Sequence, residues 1–301
     1  MSGTFLKHLS SDELDILRHF FPQGVVAFDL ETTGLSPLVD RIIEISGIKV
    51  TKDGFETFDR LIQPGIPIPP FTTEIHNITD EMVADSPTID SVIPEFVDFI
   101  AGFPLIAHNA KFDVGFIVFD MLQNKLNLPA AKVYCSCALS RKVFTDFPNH
   151  KLATLVEKLD IKLENHHRAL DDAKACLHVF TKALQTYYEQ KKNTKILNSA
   201  FLFEMNSFDE DSELDIPKQI KGLEPLVANQ ELIDIKYKGG SMKGKFRPVR
   251  PISLLPMPDG LILYAHCLVS NLYKSFAVKK IAEYKTLSTQ EQIEREKLLN
   301  K

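Results

Sequence analysis

The stretch Val25-Val26-Ala27-Phe28-Asp29-Leu30-Glu31-Thr32-Thr33-Gly34 constrains this chain more than any other. Two carboxylates one residue apart follow an apolar run and precede a Thr-Thr-Gly turn, which places both at the end of a buried strand. Side chains at i and i+2 of a strand share a face. Asp29 and Glu31 therefore project together, and Leu30 points the other way into the core. Like charges held that close repel unless one is protonated or a cation lies between them. Hard divalent ions such as Mg2+ and Mn2+ take oxygen ligands of this kind. An edge strand with two solvent-facing acids would show the same pattern, so further carboxylates are needed to decide.

A length of 301 residues exceeds the usual single-domain size, and two domains are the expectation. Hydrophobic content of 44% and charged content of 25% describe an ordinary globular chain with enough apolar residues for a substantial core. The net charge of -5 gives no global attraction to nucleic acid, so any such affinity must come from a local basic patch or from metal ions. Four cysteines, at 135, 137, 176 and 267, form no paired framework in a chain this long and read as reduced, buried thiols. The start has no basic segment followed by an apolar one, and no apolar run approaches the roughly 18 residues of a membrane span. A cytoplasmic protein with no membrane association is expected.

Ser10-Ser11-Asp12-Glu13 is a capping-box pattern, and Leu14, Leu17 and Phe21 follow at helical spacing, giving a leading helix within residues 1–21. Strand patterns at 25–31, 41–50 and 55–63, with Asp53-Gly54 as the turn between the last two, make a three-stranded meander. The prolines from Pro64 to Pro70 interrupt the sheet. Residues 75–82 read as a loop entering a capped helical turn, and Val92, Ile93, Phe96, Val97 and Ile100 resume helical spacing. Pro104-Leu105-Ile106-Ala107 is a short buried strand ending in His108-Asn109, followed by a helix over 110–122 with Asp113 in its first turn. A strand near 133–135 and helices over 151–159 and 168–189 complete residues 22–190, an α/β domain with a mixed sheet flanked by helices. Residues 191–221 turn polar and acidic and read as a linker, and residues 222–301 combine a short helix, several short strands and a charged C-terminal helix.

Asp29 and Glu31 gain partners in Asp113 and in His167-Arg168-Ala169-Leu170-Asp171-Asp172. His167 and Asp172 are five residues apart where a loop enters a helix, so the histidine can lie above a site that Asp172 faces from the first turn. Four carboxylates on one point are prohibitive without metal. With two divalent ions roughly 3.5 to 4 Å apart they become a site for in-line attack on a phosphodiester. A histidine with an ordinary pKa near 6.5 can accept the proton of the attacking water. Each acid has a plainer reading: Asp113 alone is a helix N-terminal acid and Asp172 alone a solvated one. His166 and Asp171 stand at the same five-residue spacing; the pair taken is His167 with Asp172, which leaves Asp171 on the surface.

The stretches 28–34, His108-Asn109-Ala110-Lys111-Phe112-Asp113 and 167–173 resemble the three exonuclease motifs of the DEDD family in its histidine variant. They are similar to those of the proofreading epsilon subunits of bacterial DNA polymerase III. The resemblance covers about residues 22–188 and implies a ribonuclease-H-like fold. It also implies Asp29, Glu31, Asp113 and Asp172 as ligands of two Mg2+ or Mn2+ ions and His167 as the general base. Asp29, central in its motif, is expected to bridge both ions, with Glu31 on one ion and near the substrate end. Ile75-His76-Asn77-Ile78-Thr79 resembles the family segment that contacts the terminal nucleotide. Thr32, Gly34, His76, Asn109 and Phe112 are thus substrate candidates, although Phe112 also fits a core position and Asn109 a strand-end hydrogen bond.

From Lys236 to Pro258 there is no Asp or Glu, and Lys236, Lys238, Lys243, Lys245, Arg247 and Arg250 interleave with Tyr237 and Phe246. Such a patch can neutralise phosphates while its rings offer stacking faces. A solvated cationic strand pair would look the same. Segments from 231 to 284 resemble the WYL domain, which implies a smaller Sm/SH3-like β-barrel. The name-giving Trp-Tyr-Leu is replaced by Leu261-Ile262-Leu263, and Lys280 stands where arginine is usual. The residues point to metal-assisted hydrolysis, and the exonuclease resemblance implies that it runs 3' to 5' on DNA and releases nucleoside monophosphates. Single-stranded DNA or a frayed 3' end would be the substrate, and a DNA polymerase catalytic subunit a candidate partner. An RNA-trimming enzyme of the same chemistry and a non-catalytic nucleic-acid-binding regulator are the alternatives, since contacts to the 2'-OH that separate RNA from DNA are not announced by any residue.

Overall fold

The computed structural model describes residues 9–35, 37, 40–162, 168–208, 218–240, 242–255 and 260–297. The chain divides into two units, Met1–Asn206 and Ser207–Lys301. The first unit opens with α1 (Ser11–Phe20), whose Ser10 and Glu13 form the reciprocal capping box. The meander follows as β1 (Val25–Thr32), β2 (Ile42–Thr51) and β3 (Gly54–Leu61). Then come α2 (Pro70–His76), α3 (Asp80–Val83), α4 (Ile89–Ile100), β4 (Leu105–Ala107) and α5 (Lys111–Gln123). The unit closes with β5 (Lys132–Cys135), α6 (Ser136–Val143), α7 (Leu152–Lys158), α8 (Ala169–Lys191), α9 (Leu197–Ala200) and β6 (Phe201–Glu204).

The sheet order is β3-β2-β1-β4-β5-β6. β1 pairs antiparallel with β2 and parallel with β4, so it lies inside a mixed sheet with neighbours on both sides. Parity along β1 sorts its side chains. Val25 and Ala27 join the cluster built on Leu177, Phe180 and Leu184 of α8. Phe28, on the other face, packs on Phe96 of α4 at 5.6 Å, and Phe96 meets Phe58 of β3 at 5.4 Å. Gly47, opposite Phe28 in the ladder, leaves room for the Phe99 ring, which a Cβ there would approach to 3.1 Å. Asp29 and Glu31 continue the α8 face to the end of the strand.

Several elements depart from the sequence pattern. Residues 70–76 form α2, so the loop expected from residue 75 starts inside a helix; proline at the first helical position loses no hydrogen bond. Helix α6 was not signalled, since its cap is a sulfur: Cys135 Sγ accepts the Ala138 N–H at 3.4 Å. The region expected as a linker over 191–221 contains α9 and the edge strand β6, which pairs with β5 and buries Phe203. Its acidic centre, 209–217, lies outside the described residues.

The second unit comprises α10 (Leu223–Ala228), β7 (Ile233–Tyr237), β8 (Phe246–Leu255), β9 (Ile262–Cys267), β10 (Leu272–Ala277), β11 (Ile281–Thr286) and α11 (Thr289–Glu296). Its strands form an antiparallel sheet in the order β10-β9-β8-β7-β11 around Leu223, Ile233, Ile235, Val249, Leu263 and Phe276. The expected barrel is not closed among the described residues: the turn at Val278–Lys280 carries the chain from one edge to the other, where β11 pairs with β7 rather than with β10. All four cysteines are free and buried. No described helix is long and apolar enough to cross a membrane.

Phe96 is fully buried and joins the rings of Phe28, Phe58 and Phe99 under the strand that carries the acids. Phe96→Ala should destabilise the first unit by about 3–5 kcal/mol, read as a fall of roughly 10 °C in thermal midpoint. A loss below about 1 kcal/mol would show that this cluster is not the support of β1.

Candidate active site

The end of β1 is built from three elements. Asp29 and Glu31 come from the strand and Asp172 from the first turn of α8, and one carboxylate oxygen of each lies within 4.8 Å of the others. The β1–β2 register shifts between Glu31 and Thr32, a bulge that turns the strand as it leaves the acids. Asp113, in the first turn of α5 and 3% exposed, accepts hydrogen bonds from its own N–H and from that of Leu30. Those bonds tie α5 to the strand segment between Asp29 and Glu31.

Removal from water dominates the electrostatics. Burial pushes Asp29 well above the usual carboxylate range, and the charges of Asp113, Asp172, Glu31 and Glu44 push it further. Burial and the charges of Asp172, Glu44 and Asp113 raise Glu31 to about 8, with Arg168 acting in the opposite sense. Asp113 is raised to about 7 by burial against the opposing effect of its two backbone donors. Such carboxyls hold their protons to neutral pH or above, and a cation that takes the protons' place favours the ionised form. The all-oxygen donor set and its surplus of negative charge fit a hard divalent ion.

Glu44 and Arg168 were not among the expected site residues. Glu44 stands opposite Glu31 in the β1–β2 ladder and is 1% exposed. It accepts Arg168 Nε at 2.9 and 3.3 Å, Arg168 Nη2, and the Ala169 N–H at 3.0 Å. The available signal was an acid inside the apolar run Ile42-Ile43-Glu44-Ile45, where an ionised side chain needs a partner. Asp171, expected on the surface, is 7% exposed, its charge offset by Lys174 at 2.9 Å. His167 lies outside the described residues.

The substrate candidates surround the cluster in sequence but differ in their surroundings. Thr32 Oγ1 donates to the Gly34 carbonyl at 2.6 Å, and a Cβ on Gly34 would collide with the Asp40 carboxylate. His76 is 2% exposed, and its Nδ1 accepts the Ile78 N–H at 3.0 Å, which leaves the proton on Nε2. That Nε2 has no partner among the described residues, and burial lowers the pKa of the ring. Asn109 is exposed in a left-handed conformation with φ of 62° just ahead of α5. Phe112 is half-buried and packs on Phe116 with ring centres 5.2 Å apart. His108 is structural: it bonds Ser136 Oγ at 2.7 Å and the His150 carbonyl at 3.0 Å, and burial lowers it to about 4.

The basic stretch of the second unit does not form one solvated patch. Arg247 is 5% exposed and donates to Cys267 Sγ at 3.0 Å, so it belongs to the interior of the sheet. Arg250 is paired with Glu296 of α11, and Lys236 faces Glu283 at 3.8 Å. Lys238, Lys243 and Lys245 are exposed.

A model of the Exonuclease family matches residues 26–180, just over half of the chain. The PolC-type DNA polymerase III of Caldanaerobacter subterraneus is 38% identical over 263 residues, covering 82% of this chain and 18% of the relative. That of Clostridium perfringens is 36% identical over 265 residues, covering 85% of this chain and 18% of the relative. The chain spans under a fifth of the length of these relatives. The exonuclease I of Methylocaldum szegediense shares the fold with a TM-score of 0.50 at 16% identity, covering 92% of this chain and 69% of that one. The first unit is thus an α/β, ribonuclease-H-like exonuclease fold. The family match runs from β1 to the middle of α8, the elements that bring Asp29, Glu31 and Asp172 together, and the chain belongs to the exonuclease family of hydrolytic nucleases.

Proposed function

We propose that this chain is a metal-dependent 3'-to-5' exonuclease that removes nucleoside monophosphates from single-stranded DNA or a frayed 3' end. The observation that carries the reading is the meeting of Asp29, Glu31 and Asp172 within 4.8 Å, with the buried Asp113 adding its charge. Two Mg2+ or Mn2+ ions, held by these four carboxylates, would supply charge stabilisation for the attacking and leaving oxygens of the phosphodiester. His167, five residues before Asp172, is assigned as the base that takes the proton from the attacking water. Thr32, Gly34, His76, Asn109 and Phe112 are assigned to the terminal nucleotide. For His76 the support is an Nε2–H that no described residue accepts. For Phe112 it is a side chain left half-buried beside Phe116.

The PolC-type relatives support a proofreading role beside a DNA polymerase catalytic subunit. For residues 222–301, read as a WYL-like accessory module, a part in holding nucleic acid rests on the exposed Lys238, Lys243 and Lys245. The engagement of Arg247 and Arg250 within that unit disfavours a regulator that acts through the basic stretch alone.

Labelled single-stranded DNA and RNA, digested with Mg2+, Mn2+ or chelator, test the reading. DNA should shorten from its 3' end only with metal, and Asp29→Ala should abolish the reaction without unfolding the chain. Near-normal digestion by Asp29→Ala would sink the assignment, and preferential digestion of RNA would move the substrate to that class. His167→Ala should slow digestion about 10²- to 10⁴-fold and remove a limb of the pH–rate profile, while an unchanged profile excludes it as the base.

The raised carboxyls also set a pH dependence of stability in the metal-free protein. A carboxyl whose pKa is higher folded than unfolded stabilises the fold below its unfolded value, near 4, and that contribution is lost as pH rises through the folded value. With Asp113 near 7 and Glu31 near 8, the chelated protein should lose stability between about pH 5 and pH 8.5. Mg2+ should restore it, and Glu31→Gln should flatten the dependence. Thermal midpoints that are the same at both pH values in chelator would contradict these shifts.

A further inference from the structure

Helix α8 begins without a cap of its own. Residue 168 is extended, with φ of -133° and ψ of 135°, and no side chain of the N-cap residue accepts from the first turn. The first amides of any helix need acceptors from outside it. For α8 that acceptor comes from the sheet, because Ala169 donates its N–H to Glu44 Oε2 at 3.0 Å across 125 residues of sequence. The same carboxylate holds Arg168 through Nε and Nη2, a forked contact that fixes orientation as well as distance. The Arg168 carbonyl in turn accepts the N–H groups of Asp171 and Asp172, each at 3.0 Å. Glu44 is registered opposite Glu31, so one side chain ties the start of α8 to the strand that carries two of the acids.

We infer that Glu44 is a positioning residue for Asp172: it substitutes for the missing cap, clamps Arg168, and so sets where the first turn of α8 delivers its carboxylate. Its consequence for metal rests on the metal-dependent reading above. A purely electrostatic role for the same residues makes a different forecast. If Glu44 only attracts cations and Arg168 only repels them, removal of the arginine charge should tighten metal binding. If the two form a clamp, loss of either partner should weaken it.

The test uses the full chain and Mn2+ alone as the probe, with binding followed by electron paramagnetic resonance and backbone order by amide hydrogen exchange. Glu44→Gln keeps one acceptor oxygen, Arg168→Gln removes the cation, and Arg168→Lys keeps the charge without the fork. Each should weaken Mn2+ binding roughly 10-fold or more, the usual effect of losing a partner that orients a ligand. Each should also speed exchange at 169–172, and the Glu44→Gln/Arg168→Gln double variant should be no worse than the weaker single. Thermal melts identify any variant that fails to fold, and Arg168→Lys, the mildest change, then carries the comparison. Binding by Arg168→Gln or Arg168→Lys as tight as that of the wild type, or unchanged exchange at 169–172, overturns the clamp. Failure of the wild type to digest DNA with Mn2+ would instead count against the exonuclease reading, and the exchange data would still judge the clamp.

Discussion

Repulsion among carboxylates at the end of β1 is the constraint on which this structure turns. Asp29, Glu31 and Asp172 are held within 4.8 Å, and the charges of Asp113 and Glu44 reach the same point. A flexible chain would let such groups separate into water. Here they come from one strand and two helix starts, each anchored elsewhere. β1 is paired on both sides, α8 is packed along β1 and β2, and α5 is tied to Leu30 by the bonds to Asp113. The aromatic cluster of Phe28, Phe58, Phe96 and Phe99 supports the opposite face of the strand. The unfavourable charge is stored in a rigid frame, where a cation can offset it.

Much of that frame was legible in the residues because it depends on period and order. Alternation along 25–31 placed Asp29 and Glu31 on one face, and β1 has that parity. The capping box at Ser10 and Glu13 located α1, and the turn at Asp53-Gly54 located the β2–β3 hairpin. The elements that escaped are short or capped by unusual groups. Proline at N1 hid the start of α2, a sulfur cap hid α6, and β6, only four residues long, was lost between the polar 191–194 and the acidic 208–215.

The missed site residues are missed for a related reason. Glu44 and Arg168 lie 124 residues apart, and nothing local joins them; only the β1–β2 register and the approach of α8 put the carboxylate under the arginine. Asp171 was misplaced because its neighbour Lys174 allows a charged residue to sit in a packed turn. In the second unit, composition overstated a surface. Arg247 reads as one more cation in a basic run, yet its β-strand parity turns it inward to Cys267. Spacing identifies a chemistry that is local to a strand or turn, whereas partners from distant elements require the fold.

The central claim is that a divalent ion replaces protons in this cluster, and calorimetry of Mn2+ binding in buffers of differing ionisation enthalpy tests it most directly. Because burial and the neighbouring carboxylates hold Glu31 near 8, and burial holds Asp113 near 7, binding at pH 7 should release protons, and the number released should fall as pH rises to 9. Binding at pH 7 with no proton release, or with release unchanged by Glu31→Gln, would contradict the account.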